Sequence, residues 1–453
     1  VSEVLHDSVG GADDTAAPTA PTTPEAHLPP GPALPRWVQG LGFSLARRWT
    51  VERLARRYGA AFRLNVPLFG PMVVVTDPRL AKQVFTSRPE VLGNIQPNLS
   101  RLLGPGSVFA LDGDAHRARR LLLSPSFHGQ NIKNYERIIE EETLAESATW
   151  PVGTPFATLR PMNRITLNVI LRAVFGAEGA DLHELRAIIP PWVTLGSKLV
   201  ALPTPKRTYG RFSPWGRLAA WRSRYETVLD RLIGVVRADP DFAERTDMLS
   251  LLLRSRYEDG APMSRGDIGD ELLTFLAAGH ETTASTLGWV FERISRDADL
   301  LAELTGEVDA GGRALRQATL YELQRHRTVI DFAGRRVLAP SFTLGPWELA
   351  QDSLIVVSIA QIHANTEQFS DASRFDPHRF LDSRPSTFAW IPFGGGTRRC
   401  PGATFANAEM DVVLRTVLRH FTIEPTDAPA EKWHSRGVAF TPKDGGRIVV
   451  HRR

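Results

Sequence analysis

The sequence predicts a mainly α protein with small β-sheets, folded as a single domain, and three observations carry that prediction. From about Asp114 to Gly312, segment after segment repeats its apolar residues at helical spacing. Short strand-like runs flank this block on both sides, and no internal repeat or second boundary divides the chain after residue 31. With 453 residues, 42% of them hydrophobic, the chain can bury a large core.

The elements follow in order. The first thirty residues are rich in Ala, Pro, Thr and Asp and poor in large apolar side chains, so they read as a flexible tail, 1–30, ahead of a folded domain, 31–453. "AFRLNV" and "MVVVTDP" read as two strands across the turn "PLFGP". Asp77 then caps a helix with Pro78 in its first turn. "DAHRARRLLL", "ITLNVILRAVFG" and "YETVLDRLIGVVRA" are helical, and "GDIGDELLTFLAAGHETTASTLGWVFERI" is long and apolar on much of its circumference, as a helix through the core would be. Strands return at "RRVLA" and "LIVVSIA". Ala406, Met410, Val413, Leu414, Val417, Leu418 and Phe421 then mark a last helix with one buried face.

Composition excludes several classes. The formal charge is only +4, and basic residues come in short groups such as "HRARR" and "PKRTYGR", not the dense stripe of a nucleic-acid binder. One cysteine permits no internal disulfide and no structural zinc or iron–sulfur cluster, which fits a reducing compartment. The N-terminus lacks the charged start and apolar stretch of a signal peptide, and nowhere do about twenty apolar residues run together. The expectation is a cytoplasmic monomer without a membrane anchor.

The lone cysteine stands in "FGGGTRRCPG", Phe393 to Gly402. Three glycines let the backbone approach a flat, bulky object. Gly402 lies just before the last helix, so Cys400 sits near a helix N-terminus, and Arg398 adds positive charge; both favour the thiolate. Three readings compete: a small buried residue, a nucleophile needing one of the twelve histidines as base, and a thiolate ligand to haem iron. Only the last uses the glycines, Phe393 and the arginine together.

Here the sequence resembles the cytochrome P450 superfamily, whose haem-ligand signature, Phe-x-x-Gly-x-Arg-x-Cys-x-Gly, matches at Phe393, Gly396, Arg398, Cys400 and Gly402. The resemblance implies that Cys400 is the iron ligand, that Phe393 packs near it, that Arg398 pairs with a haem propionate, and that Gly402 belongs to the haem-binding loop. It implies haem b lying between the long distal helix and the helix after the cysteine. Other motifs follow in the family's order over roughly residues 60 to 420, and the overall pattern is similar to soluble actinobacterial members.

"AAGHETT" resembles the family's oxygen-activation segment, with Glu281 and Thr282 as the acid–alcohol pair managing protons on the distal side. Gly279 weakens the helix there, and a Thr282 hydroxyl bonded back to Ala278 is expected to open it locally. Glu322 and Arg325, at i and i+3, are completed in the family by a downstream arginine, here Arg379, as a structural network. Thr328 stands where the family often has proline. His116 and Arg120 share a helix face and imply a propionate clamp; Arg335 implies another propionate contact, with the adjacent Arg336 leaving that choice open.

The implied activity is monooxygenation: one atom of O2 enters a hydrophobic organic substrate, a lipid, sterol, terpenoid or polyketide. The resemblance places Phe275, Ala278 and Val329 along the substrate pocket. No flavin or iron–sulfur motif is visible, so electrons from NAD(P)H are expected through a ferredoxin and its reductase, docking on the basic face near Arg399. A haem-thiolate peroxygenase or isomerase need not keep the Glu281–Thr282 pair. A haem sensor would need an effector segment, and none is seen.

Overall fold

A computed structural model describes residues 28–453 except 68, 96–98, 128–129, 177–178, 201, 203–204, 206, 208–209 and 384–385. Most of the tail expected over 1–30 therefore lies outside the described residues. Its last residues belong to the body: the Pro29 and Pro30 carbonyls accept hydrogen bonds from Arg63 Nε and from the Arg63 backbone N–H, both at 2.7 Å.

Helical chain over Arg36–Tyr58, broken by a kink at Ala46, leads into two antiparallel strands, Ala61–Val66 and Gly70–Val75. The helix presses Val51, Leu54, Ala55 and Tyr58 onto that sheet. Asp77 then starts the next helix, Pro78–Thr86, by accepting from the backbone N–H groups of Arg79 and Leu80. The sheet is completed from far along the chain. Leu354–Ser358 pairs parallel with the second strand, Phe332–Val337 pairs antiparallel with that one, and Leu92–Asn94 closes the edge. In "LIVVSIA" the strand stops at Ser358, whose hydroxyl caps the short helix Ile359–His363.

The remaining mass is helical. Arg265–Ile294 is 30 residues long, about 45 Å, and buries residues around most of its circumference. It runs along the helix Leu159–Phe175, where Gly279 permits close approach: a Cβ there would sit 3.3 Å from Ile170. The last helix, Ala403–His420, presents Phe405, Met410, Val413, Leu414, Val417 and Leu418 to the same core. Four further two-stranded sheets are short. The architecture is mainly α with small sheets, as the sequence predicts, and among the described residues no helix is long and apolar enough to cross a membrane.

Candidate active site

The cysteine loop is closed by its own backbone. The Cys400 N–H donates to the Phe393 carbonyl at 3.0 Å, and the Gly394 N–H donates to Ile391 at 2.9 Å. Gly394 and Gly396 both take φ of 68°, a left-handed conformation in which glycine carries no Cβ penalty. A Cβ on Gly395 would meet the Phe85 ring at 2.6 Å, and one on Gly396 would lie 2.0 Å from the Phe85 carbonyl oxygen. Gly395 and Gly396 are thus required by the helix Pro78–Thr86 packed behind the loop, whereas a Cβ on Gly394 would meet only Ala333, at 3.9 Å.

Cys400 is solvent-exposed, yet the surrounding protein still pushes its thiol up. An accessible group so flanked lies in a concave surface. The Gly402 backbone N–H, Arg120 and Arg399 oppose that shift. Arg398 is not among these influences, which corrects the expected charge contribution; its guanidinium bonds the Leu111 carbonyl and the Asp112 carboxylate instead. Phe393 is half-buried beside Trp390, with ring centroids 6.4 Å apart.

Basic groups converge on this surface. Burial and the neighbouring Arg398, Arg120 and Arg335 hold His116 down at about 4, so its imidazole is neutral. Strand alternation settles the choice between Arg335 and Arg336. Arg335 shares the buried face of its strand with Val337, and burial plus Arg398 lower it to about 10. Arg336 points the other way, to Asp352 at 3.3 Å. Arg335 bonds only the carbonyls of Gly334 and Gly395, at 2.8 and 3.0 Å. Among the described residues, no carboxylate lies in hydrogen-bond reach of Arg335 or Arg120, and Asp112 is the one acid raising both the His116 and Arg335 values. Asp112 also accepts from the Asn94 N–H at 2.8 Å, which fixes it between strand and helix.

On the long helix, Ala278 is exposed and Thr282 half-exposed, an opening in an otherwise buried element. The Thr282 hydroxyl donates to the Ala278 carbonyl at 2.7 Å. Thr283, Ser285 and Thr286 repeat that bond one turn back, to Gly279, Glu281 and Thr282. The expected local opening does not form: the backbone stays helical from Arg265 to Ile294, because each hydroxyl shares its carbonyl with the backbone bond instead of replacing it. Glu281 is nearly buried and 3.3 Å from Arg436, in the turn between the strands Trp433–Ser435 and Phe440–Pro442. Burial pushes its carboxyl up, and Arg436 opposes this. Arg436 also borders a concavity of about 810 Å³ that includes Trp150, Phe156, Arg160 and Lys443 and none of the cysteine-loop residues. Of the three pocket residues, only Ala278 is exposed. Phe275 stacks edge-on against Phe127 at 5.1 Å, and Val329 lies in the same core.

Behind the loop, Glu322 accepts from two Arg325 nitrogens at 2.7 Å and from the Asp376 N–H at 2.9 Å, and Arg379 Nε lies at ion-pair distance, 3.3 Å. The pair is fully buried, not a surface decoration. Arg325 also bonds the carbonyls of His363 and Ala372 at 2.9 and 2.8 Å, tying together the irregular segment that leads to the cysteine. Sequence reasoning passed over three residues. His363 Nε2 accepts the Ile391 N–H at 2.9 Å, and Arg119 bonds buried Glu271 at 2.9 Å, which burial raises to about 7. The third is Arg436. His363 and Arg436 stand in no motif, and Arg119, though inside "DAHRARRLLL", has a partner, Glu271, that only the fold brings near.

The donor set fits a haem. Among the described residues no three His, Cys, Asp or Glu side chains stand together as a bare metal site, so an iron here must bring its own equatorial ligands. Arg120 and Arg335 without carboxylates suit the two acid groups such a macrocycle carries.

The cytochrome P450 family profile matches residues 29–448. The Mycobacterium tuberculosis (H37Rv) protein named "Putative cytochrome P450 138" is 64% identical over 434 residues, covering 96% of this chain and 98% of that protein. The Mycobacterium bovis "Putative cytochrome P450 135B1" is 38% identical, covering 94% and 92%. Among solved structures, "Retinoic acid bound cyanobacterial CYP120A1" superposes with a TM-score of 0.82 over 94% of this chain and 100% of that one, at 22% identity. "Crystal structure of a Cytochrome P450 (CYP102L1)" gives 0.79 over 95% and 100%, at 24% identity. These two show the fold alone. Family, relatives and the geometry around Cys400 converge, and the chain belongs to the cytochrome P450 family of haem-dependent monooxygenases.

Proposed function

We propose that the chain holds haem b through Cys400 and places one oxygen atom of O2 into an apolar organic substrate, with electrons arriving from NAD(P)H through a separate ferredoxin and reductase. The observation that carries this reading is the exposed thiol of Cys400 in a concave surface, with Arg120 acting on it and Arg335 on the Gly395 carbonyl of its loop, neither with a carboxylate in hydrogen-bond reach among the described residues. When bound, the haem supplies the oxygen-activating redox chemistry, tuned by its thiolate ligand.

The chain's own residues do the rest. Arg120, Arg335, Arg398 and neutral His116 hold the haem's acid groups, while Phe393 and Gly402 flank Cys400. Glu322, Arg325 and Arg379 brace the loop from behind. Burial pushes the Glu281 carboxyl toward its protonated form and Arg436 opposes this, while Thr282 spends its own proton on the Ala278 carbonyl, so its oxygen lone pairs are left to accept. Ala278, with Phe275 and Val329 behind it, offers an apolar wall to substrate. Exposed Arg399 marks the face where an acidic electron donor docks.

The test is the absorption spectrum of the reduced, CO-bound protein. A red-shifted Soret band that is lost in Cys400→Ser is the expected result; a histidine-type spectrum in the native chain would overturn the reading. Turnover of the isolated chain with NADPH alone would overturn the partner assignment.

A further inference from the structure

The concavity of about 810 Å³ bordered by Arg436 lies apart from the cysteine loop, and its walls are fixed. The strand Phe156–Ala157 pairs with Arg447–Ile448, and the N–H groups of Thr158 and Leu159 donate to the Gly446 and Gly445 carbonyls at 3.1 and 2.9 Å. Glu431 accepts from the N–H groups of Asp444 and Arg447, both at 2.9 Å, which holds the loop carrying Lys443. A space of this size takes a small organic ligand.

The lining combines apolar rings with cations. Phe156 leans on Trp150 with ring centroids 5.2 Å apart, and Pro151 and Pro442 add flat apolar faces. Arg160, Arg164, Arg436 and Lys443 line the same space against a single acid, Asp444. Arg164 is paired with Glu146 and Arg436 with Glu281, whereas among the described residues Arg160 and Lys443 have no carboxylate in ion-pair reach. A lone exposed cation is ordinary, but Arg160 stands in an unfavourable place. It occupies the first turn of the helix Leu159–Phe175, which has no acid there and no side-chain cap, since the Thr158 hydroxyl donates to the Gly446 carbonyl instead. The positive end of a helix disfavours a cation and favours an anion.

We propose that this concavity is a second ligand site, which takes an aromatic carboxylate. The ring lies on Phe156 and the prolines, and the carboxylate is held by Arg160 and Lys443 and shares Arg436 with Glu281. Inorganic phosphate suits the space less, because it leaves the apolar wall uncovered. The ligand is distinct from the molecule oxidised, since no residue of the cysteine loop lines the space. It reaches the chemistry through Arg436: a carboxylate drawing on that guanidinium loosens its hold on Glu281. Binding itself does not depend on the oxygen chemistry.

The experiment is calorimetric titration of the full haem-loaded chain with naphthoate, with the Soret band followed in parallel. The expected result is saturable binding without a Soret shift. Arg160→Gln/Lys443→Gln should bind at least about tenfold more weakly, the scale of losing charge-assisted hydrogen bonds to a carboxylate. Both side chains are exposed, so the variant's unfolding midpoint should match the native chain. The uncharged alcohol of the same ring system should also bind at least about tenfold more weakly than naphthoate. Glu281→Gln releases Arg436 and should tighten binding several-fold; unchanged affinity there would overturn the link to Glu281. No binding, or equal affinity in native and double-variant chains, would overturn the proposal. So would a Soret shift that accompanies the heat, which would put naphthoate beside the haem. Phosphate displacing naphthoate at equal concentration would overturn it as well, by reducing the concavity to an anion patch without use for the ring.

Discussion

Glu281 and Arg436 lie 3.3 Å apart, and this pair joins the long helix to a hairpin turn more than a hundred residues further along the chain. Burial raises the Glu281 carboxyl and Arg436 restrains that rise. Whatever Glu281 does with its proton is therefore set partly from the hairpin.

Replacing Arg436 with glutamine removes the restraint while keeping a polar side chain. The Glu281 carboxyl then moves further up, so the pH at which activity depends on its ionisation should shift to more alkaline values. Product formed per electron consumed, measured against pH, checks the direction; an unchanged profile would disconnect Arg436 from Glu281.

Glu322→Ala leaves Arg325 buried without its counter-charge. Breaking one partner of a buried ion pair costs about 3–5 kcal/mol, so the unfolding midpoint should fall steeply. Arg325→Lys should rescue little, because a point-charge ammonium cannot reproduce the two 2.7 Å bonds to Glu322 and the bonds to the His363 and Ala372 carbonyls. Denaturant unfolding of both variants decides it.

The two ends of the glycine signature should respond differently. Gly396→Ala demands a side chain at φ 68° and 2.0 Å from the Phe85 carbonyl, so loss of more than about 2 kcal/mol is expected. Gly402 sits at φ −81°, with Phe127 3.9 Å from a new Cβ, and Gly402→Ala should cost under about 1 kcal/mol. Equal, mild effects would mean that Phe85 does not hold the loop.

His363 is held down at about 3 by burial and Arg325, and its Nε2 must be unprotonated to accept the Ile391 N–H. Its folded value lies below the ordinary 6.5, so the unfolded chain binds the proton first. His363 thus contributes stability above about pH 6.5 that is lost as pH falls toward 3, with a limiting slope of about 1.4 kcal/mol per pH unit. Glu271, raised to about 7, acts in the opposite sense and is common to both chains. Comparison of native protein with His363→Gln, whose side-chain oxygen can still accept the bond, should isolate this slope by acid unfolding; parallel curves would refute it.

Much of the architecture was legible because it rests on local rules. Asp77 with Pro78 starts a helix wherever it stands, and the apolar spacing from Ala406 to Phe421 marks one buried face. The thiol, the acid–hydroxyl neighbours and the Glu322–Arg325 spacing are likewise written in residue types and intervals. Three matters were not legible. Arg335 and Arg336 are chemically equal, and only the register of the strand against Asn94 and Ile355 turns Arg335 inward. Arg398 is a free cation on paper, and its engagement by Asp112 depends on a helix start that the loop meets only after folding. The glycines of the cysteine loop give no sign in sequence that Phe85 packs against Gly395 and Gly396.

By itself, then, the amino-acid order determined the elements, the chemistry available at each position and the family those intervals spell out, because periodicity and capping act over a few residues. Only the tertiary structure decided which of two like charges faces the site and which acid each arginine answers to. Those outcomes come from packing between segments hundreds of residues apart, where burial and distance, not residue type, set the energies.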